Sequence, residues 1–114
     1  MDEYIVNINS KINDAIEIIH FNKTRCCIVV NSDSKVIGVI SQGDVLRSLL
    51  KGVDIKSPIK TIINVSFKYI NQINDNEILS LFKLGITLIP VVDKNLKLVD
   101  AVNTREYLIN KFLI

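Results

Sequence analysis

The chain has no tryptophan, one histidine, one methionine and two prolines in 114 residues. His20 has no cysteine or carboxylate beside it at ligand spacing, so neither a zinc site nor a histidine-based acid–base pair finds its partners. The only two cysteines, Cys26 and Cys27, are neighbours inside a β-branched run. Alternation along a strand sends them to opposite faces, and they read as buried small hydrophobes, not as a disulfide or metal ligands. Of the four glycines none belongs to a P-loop pattern, and no nucleophile stands at readable spacing from a base. An enzyme is therefore not expected, and no catalytic or metal-binding residue is assigned.

Long apolar runs are also missing. The longest, Cys26 to Val30, is far short of a membrane span, and the amino terminus lacks the basic-then-apolar layout of a signal peptide. The expectation is a soluble, cytoplasmic protein without membrane contact. Net charge is only +2, and the basic residues are scattered from Lys11 to Lys111 without interleaved aromatics, so no nucleic-acid partner is expected. What the chain does have is a 48% hydrophobic content, enough for one core at this length.

It also has an internal repeat. A shift of 62 positions pairs Ile8 with Ile70, Ile16 with Ile78, Cys26 with Leu88, Val29 and Val30 with Val91 and Val92, and Leu46 with Leu108. Few residues are identical, but the apolar pattern is kept, as a duplicated structural unit requires. In each unit a helical stripe comes first: Ile12, Ala15, Ile16 and Ile19, then Ile78, Leu81 and Phe82, with Gly85 placed to end the helix. Two apolar runs follow around a polar turn, Cys26 to Asn31 and Val36 to Ile40, echoed by Leu88 to Asp93 and Leu96 to Val102. A second helix closes each unit, with Val45, Leu46, Leu49 and Leu50 in one and Tyr107, Leu108 and Phe112 in the other.

Short segments before the first helices, Tyr4 to Ile8 and Ser66 to Ile70, add a candidate edge strand to each unit. The expected fold is α/β (α+β): two β-α-β-β-α repeats, at 1–50 and 66–114, related by a pseudo-twofold axis and joined by a linker at 51–65 that contains Ser57-Pro58. Leu49, Leu50, Phe112 and Leu113 exceed what one such pair covers, which predicts a homodimer.

The stretch "GVISQGDVLRSLLKG", Gly38 to Gly52, places Ser41 and Asp44 where a strand meets a helix. A helix amino terminus leaves N–H groups unpaired, so a phosphate beside Ser41 and Gln42 would be stabilised, and Asp44 can accept from two adjacent ribose hydroxyls. The same pair spells a capping box, which accounts for both residues without any ligand. Both readings stand on the residues alone. The second repeat replaces Gly38, Ser41 and Asp44 with Asp100, Asn103 and Glu106, a set better suited to capping than to a ribose.

The helix–strand–strand–helix repeat, "IPVVD" at Ile89 to Asp93, and Gly38-x-x-Ser41-x-x-Asp44 together resemble a tandem pair of cystathionine-beta-synthase (CBS) domains over nearly the whole chain. The stretch from Ser41 to Ile63 is similar to CBS pairs fused to sugar-phosphate nucleotidyltransferases. The resemblance implies a regulatory module that binds an adenosine-containing nucleotide between its repeats, with AMP, ADP, ATP or S-adenosylmethionine as candidates, and controls a fused or separate catalytic domain. It assigns nucleotide binding to Gly38, Ser41, Gln42 and Asp44. Arg25, just before the central strand, is a candidate phosphate partner. A degenerate second site would hold Thr87, Asn103 and Glu106. The alternative is a dimerisation or interaction module that binds no ligand.

Overall fold

The computed structural model describes residues 1–113. The order of elements is β1 (Ile5–Asn7), α1 (Ile12–Asn22), β2 (Cys26–Val30), β3 (Val36–Ser41), α2 (Gln42–Leu50), α3 (Asp75–Lys83), β4 (Leu88–Val92), β5 (Leu98–Asn103) and α4 (Thr104–Phe112). Short 3-10 turns lie at Asp2–Tyr4 and Ile59–Thr61. One sheet runs β1-β2-β3, with β1 parallel and β3 antiparallel to β2; β4 and β5 form an antiparallel pair.

From the second strand onward the repeat holds residue for residue. Each hairpin carries its irregularity at the matched place, between Val29 and Val30 and between Val91 and Val92. The hairpins meet through reciprocal bonds: the Val36 amide donates to the Leu96 carbonyl and the Leu98 amide to the Ser34 carbonyl, both at 2.9 Å. At the opposite end of each hairpin the Gln42 amide donates to Arg25 and the Thr104 amide to Thr87. Every one of these pairs maps onto the other by the same shift of 62, the signature of a local twofold axis between the repeats.

The expected edge strand of the second repeat is reduced to one parallel bridge, Ile70 to Val91. The Ile70 amide donates to the Pro90 carbonyl and the Val92 amide to the Ile70 carbonyl. Extending that ladder backwards needs an N–H at position 90, and proline has none. Through Val91, Ile70 takes the place that Val6 holds opposite Val29, so the ungapped match of Ile8 with Ile70 does not survive at this edge.

Three apolar clusters fill the molecule. Val6, Ile12, Ala15, Ile19, Cys27, Val29, Ile40, Val45 and Ile59 pack in the first repeat; Ile70, Ile78, Ile89, Val91 and Val102 in the second. Between them Ile28, Val30 and Val36 meet Leu88, Val92 and Leu98, so the middle strands of both repeats share one interior. Each such side chain, fully buried, contributes about 1.5–3 kcal/mol. The connecting segment is part of this build. Ile59 is fully buried, and Val39 and Asn64 exchange both backbone bonds at 3.0 Å. A Cβ on Gly38 would stand 2.5 Å from the Asn64 carbonyl oxygen and 2.7 Å from Ile63, so glycine there is what lets the segment cross β3.

The closing helices bury less than their stripes predict. In α2 only Val45 and Ser48 are buried, while Leu46, Leu49 and Leu50 are exposed, Leu50 at 87%. In α4 Tyr107 and Leu108 pack on the second cluster, whereas Phe112 and Leu113 are exposed.

Candidate functional site

Ser41 ends β3 with extended backbone and caps α2. Its hydroxyl accepts from the Asp44 amide at 3.1 Å, and an Asp44 carboxylate oxygen accepts from the Ser41 amide at 2.9 Å, a complete reciprocal box. The second Asp44 oxygen accepts from the Arg47 guanidinium at 2.7 Å. Asp44 is 19% exposed and each oxygen keeps a free lone pair, so capping and a further hydrogen bond are compatible at one carboxylate. A Cβ on Gly43 would approach the Arg47 side chain at 3.1 Å, and Gln42 opens the first turn of α2.

The second repeat is capped by halves. Asn103 accepts from the Glu106 amide at 3.1 Å, but the Glu106 carboxylate lies 3.4 Å from the Asn103 side-chain amide and makes no bond to its backbone. Of the two closing helices, the complete box therefore belongs to α2, at the Ser41 and Asp44 whose spacing spelled one, while α4 keeps only half of it.

Two clefts open between the repeats. The first, about 250 Å³, lies beside Cys26 and Val39 on one side and Ile86, Thr87 and Leu88 on the other, with Asn64, Phe67 and Lys68 from the connecting segment. Cys26 pairs across the sheet with Ser41, which sets this cleft next to the α2 cap. The second, about 310 Å³, is lined by Tyr4, Asp100, Asn103, Glu106 and Tyr107. The two differ in charge: one lysine lines the first, two carboxylates the second.

The remaining candidates group differently from their order in the chain. Arg25, Thr87, Asn103 and Glu106 line one cavity of about 410 Å³ at the amino end of α4. Arg25 and Gln42 also border an open groove of about 500 Å³ between α1 and α2, walled by Ile16, Leu46 and Leu49. Gly38 faces the connecting segment instead of a cavity. The Thr87 hydroxyl donates to the Thr24 carbonyl, tying the repeats together, and stands 3.8 Å from the Cys26 sulfur. Burial raises the Cys26 thiol above its ordinary pKa and pushes the Cys27 thiol up to about 12, so neither is a thiolate near neutrality. Among the described residues no group of His, Cys, Asp and Glu has a metal-binding arrangement. Among the described residues no helix is long and apolar enough to cross a membrane.

Sequence reasoning missed Lys23 and Arg105 beside Arg25, and missed Phe67, Asn64 and Tyr4 in the clefts. A signal existed for Arg105: a cation in the first turn of a helix opposes the local dipole.

Two α+β repeats that share a core, are related by a local twofold axis and leave clefts between them define the architecture of a CBS domain pair. The CBS domain family model matches residues 1–51. A CBS domain protein from Pyrobaculum aerophilum, solved in complex with AMP, superposes with a TM-score of 0.74 at 19% identity, over 90% of this chain and 80% of that one. The CBS domain pair of the protein MJ0100, in complex with 5'-methylthioadenosine and S-adenosyl-L-methionine, gives 0.72 at 21% identity over 90% and 82%. An uncharacterized protein of Helicobacter pylori strain 26695 is 29% identical over 103 residues. That match spans 88% of this chain and only 31% of the relative's own length. Residues 1–51 match the CBS domain by sequence, and the chain as a whole has the fold of CBS domain pairs.

Proposed function

We propose that the chain is a regulatory module that senses an adenosine-containing nucleotide in the inter-repeat cleft beside the Ser41–Asp44 cap. The observation that carries this reading is the cleft itself: apolar walls from Val39, Ile86 and Leu88, the ring of Phe67, and Lys68 at hand for negative charge, next to a partly buried helix cap. Similar folds have been solved with AMP, and with 5'-methylthioadenosine and S-adenosyl-L-methionine, which supports the ligand class. The role is regulatory and not catalytic. Asp44 would accept from the ribose hydroxyls with its free lone pairs while keeping the cap. The second cleft, carrying Asp100 and Glu106, repels a phosphate, so one site per chain is the preferred stoichiometry.

On this reading 1–50 and 66–114 are the repeats and 51–65 the connection. The regulated partner is a catalytic domain, fused or separate, of the sugar-phosphate nucleotidyltransferase kind, and the module works as a cytoplasmic homodimer. The test is a melting-temperature panel with AMP, ADP, ATP and S-adenosylmethionine. A native-state ligand raises stability by about 2.7 kcal/mol at a hundredfold excess over Kd, so at least one compound should shift the midpoint by several degrees. No shift from any of them at millimolar concentration would leave an interaction module that binds no nucleotide.

A further inference from the structure

Arg47 stands in the last turn of α2 and reaches back to the first, where its guanidinium donates to an Asp44 carboxylate oxygen at 2.7 Å. That end of a helix, with its unpaired N–H groups, disfavours a cation. Room for the guanidinium comes from Gly43: a Cβ there would stand 3.1 Å from one of its nitrogens, and glycine within a helix costs stability relative to alanine. The second repeat has no counterpart. Glu106 matches Asp44, but Ile109 matches Arg47 and Arg105 matches Gly43, and Glu106 enters no ion pair among the described residues. The contact therefore belongs to the repeat whose cap adjoins the first cleft.

Asp44 exposes only 19% of its side chain; the Ser41 amide holds one oxygen and the guanidinium stands on the other. Two adjacent ribose hydroxyls need both oxygens from the one open side, so one of the two present partners has to give way. The Ser41 amide is fixed in the backbone. The guanidinium is 66% exposed, and a surface pair of this kind costs little to break. We infer that Arg47 is a latch on Asp44, an autoinhibitory contact that a nucleoside opens in order to seat its ribose. As an exposed ion pair, the latch holds most firmly at low ionic strength. The inference rests on the ligand-sensing reading and adds to it the residue that sets its affinity threshold.

Titration calorimetry with adenosine and with AMP, on the wild type, Arg47→Met and Arg47→Lys, at about 0.01 M and about 1 M salt, tests it. Adenosine carries no charge, so salt acts on its affinity through the protein's own ion pairs. Arg47→Met should bind adenosine about two- to threefold tighter than the wild type at low salt, the size of a surface pair, and about equally at high salt. AMP should gain by the same factor, the opposite sign from losing a cation that binds phosphate. Arg47→Lys keeps the charge and should keep the wild-type salt dependence. Unchanged or weaker binding of either compound by Arg47→Met at low salt, or a gain of equal size at both salt concentrations, overturns the latch while the ligand-sensing reading stands on the binding itself. No heat from either compound with any of these proteins overturns that reading and the latch with it.

Discussion

Asp44 has both carboxylate oxygens engaged, one by the Ser41 amide and one by Arg47. Replacing it with alanine should cost about 1 kcal/mol through the lost cap, read as a lower urea midpoint with an unchanged slope. Arg47→Met should cost less than about 0.5 kcal/mol, because that guanidinium is 66% exposed and surface pairs are worth little. Equal losses in the two variants would mean that the ion pair, not the box, holds the helix end. The capping box was legible in the spacing of Ser41 and Asp44. The reason for Gly38 was not, because Ile63 and Asn64, which fill its missing side chain, come from a segment distant in sequence. Cys27 yields a pH prediction. Its folded pKa, about 12, lies above the ordinary thiol value, so the folded state holds its proton longer than the unfolded chain. The associated stability is fully present below the ordinary thiol pKa and is lost as pH rises toward 12. Cys27→Ala should flatten the alkaline arm of a pH–stability curve, and iodoacetamide should label Cys27 in the native protein only as fast as the protein opens.

Among the elements, α3 and α4 are tied by Tyr107, whose hydroxyl donates to Asp75 at 2.5 Å, and by Lys111 at 3.5 Å from the same carboxylate. The Tyr107 hydroxyl bond, then the Lys111 charge, holds the Asp75 carboxyl below its ordinary range. A depressed folded pKa contributes stability above the unfolded value and loses it as pH falls through the folded one. Tyr107→Phe should therefore weaken the acid dependence of stability, with its effect fading at pH values low enough to protonate Asp75 in both states; an effect independent of pH would assign the contact to packing alone. The helices and hairpins were readable because period and turn chemistry agree in α1, β2–β3 and β4–β5. The Ser66 to Ile70 edge was not, since its failure depends on where Pro90 falls in a neighbouring ladder. For α2 the stripe of Leu46, Leu49 and Leu50 announced a helix correctly but could not say what covers it.

At the scale of the molecule, the apolar residues left on α2 and α4, Leu46, Leu49, Leu50, Phe112 and Leu113, are the reason a homodimer is expected. Sedimentation equilibrium should give twice the 12.9 kDa chain mass, and Leu49→Glu should return a monomer that remains folded. A wild-type monomer across the micromolar range would assign those leucines to a different partner. The central claim concerns the first inter-repeat cleft. An amide-resolved NMR titration of the chain with adenosine nucleotides addresses it most directly. The account predicts saturable shifts at the amides of Cys26, Val39, Asn64, Phe67 and Thr87, with a smaller response at Asp100 and Tyr4 in the second cleft. Shifts confined to the groove between α1 and α2, or none at saturating nucleotide, would contradict it.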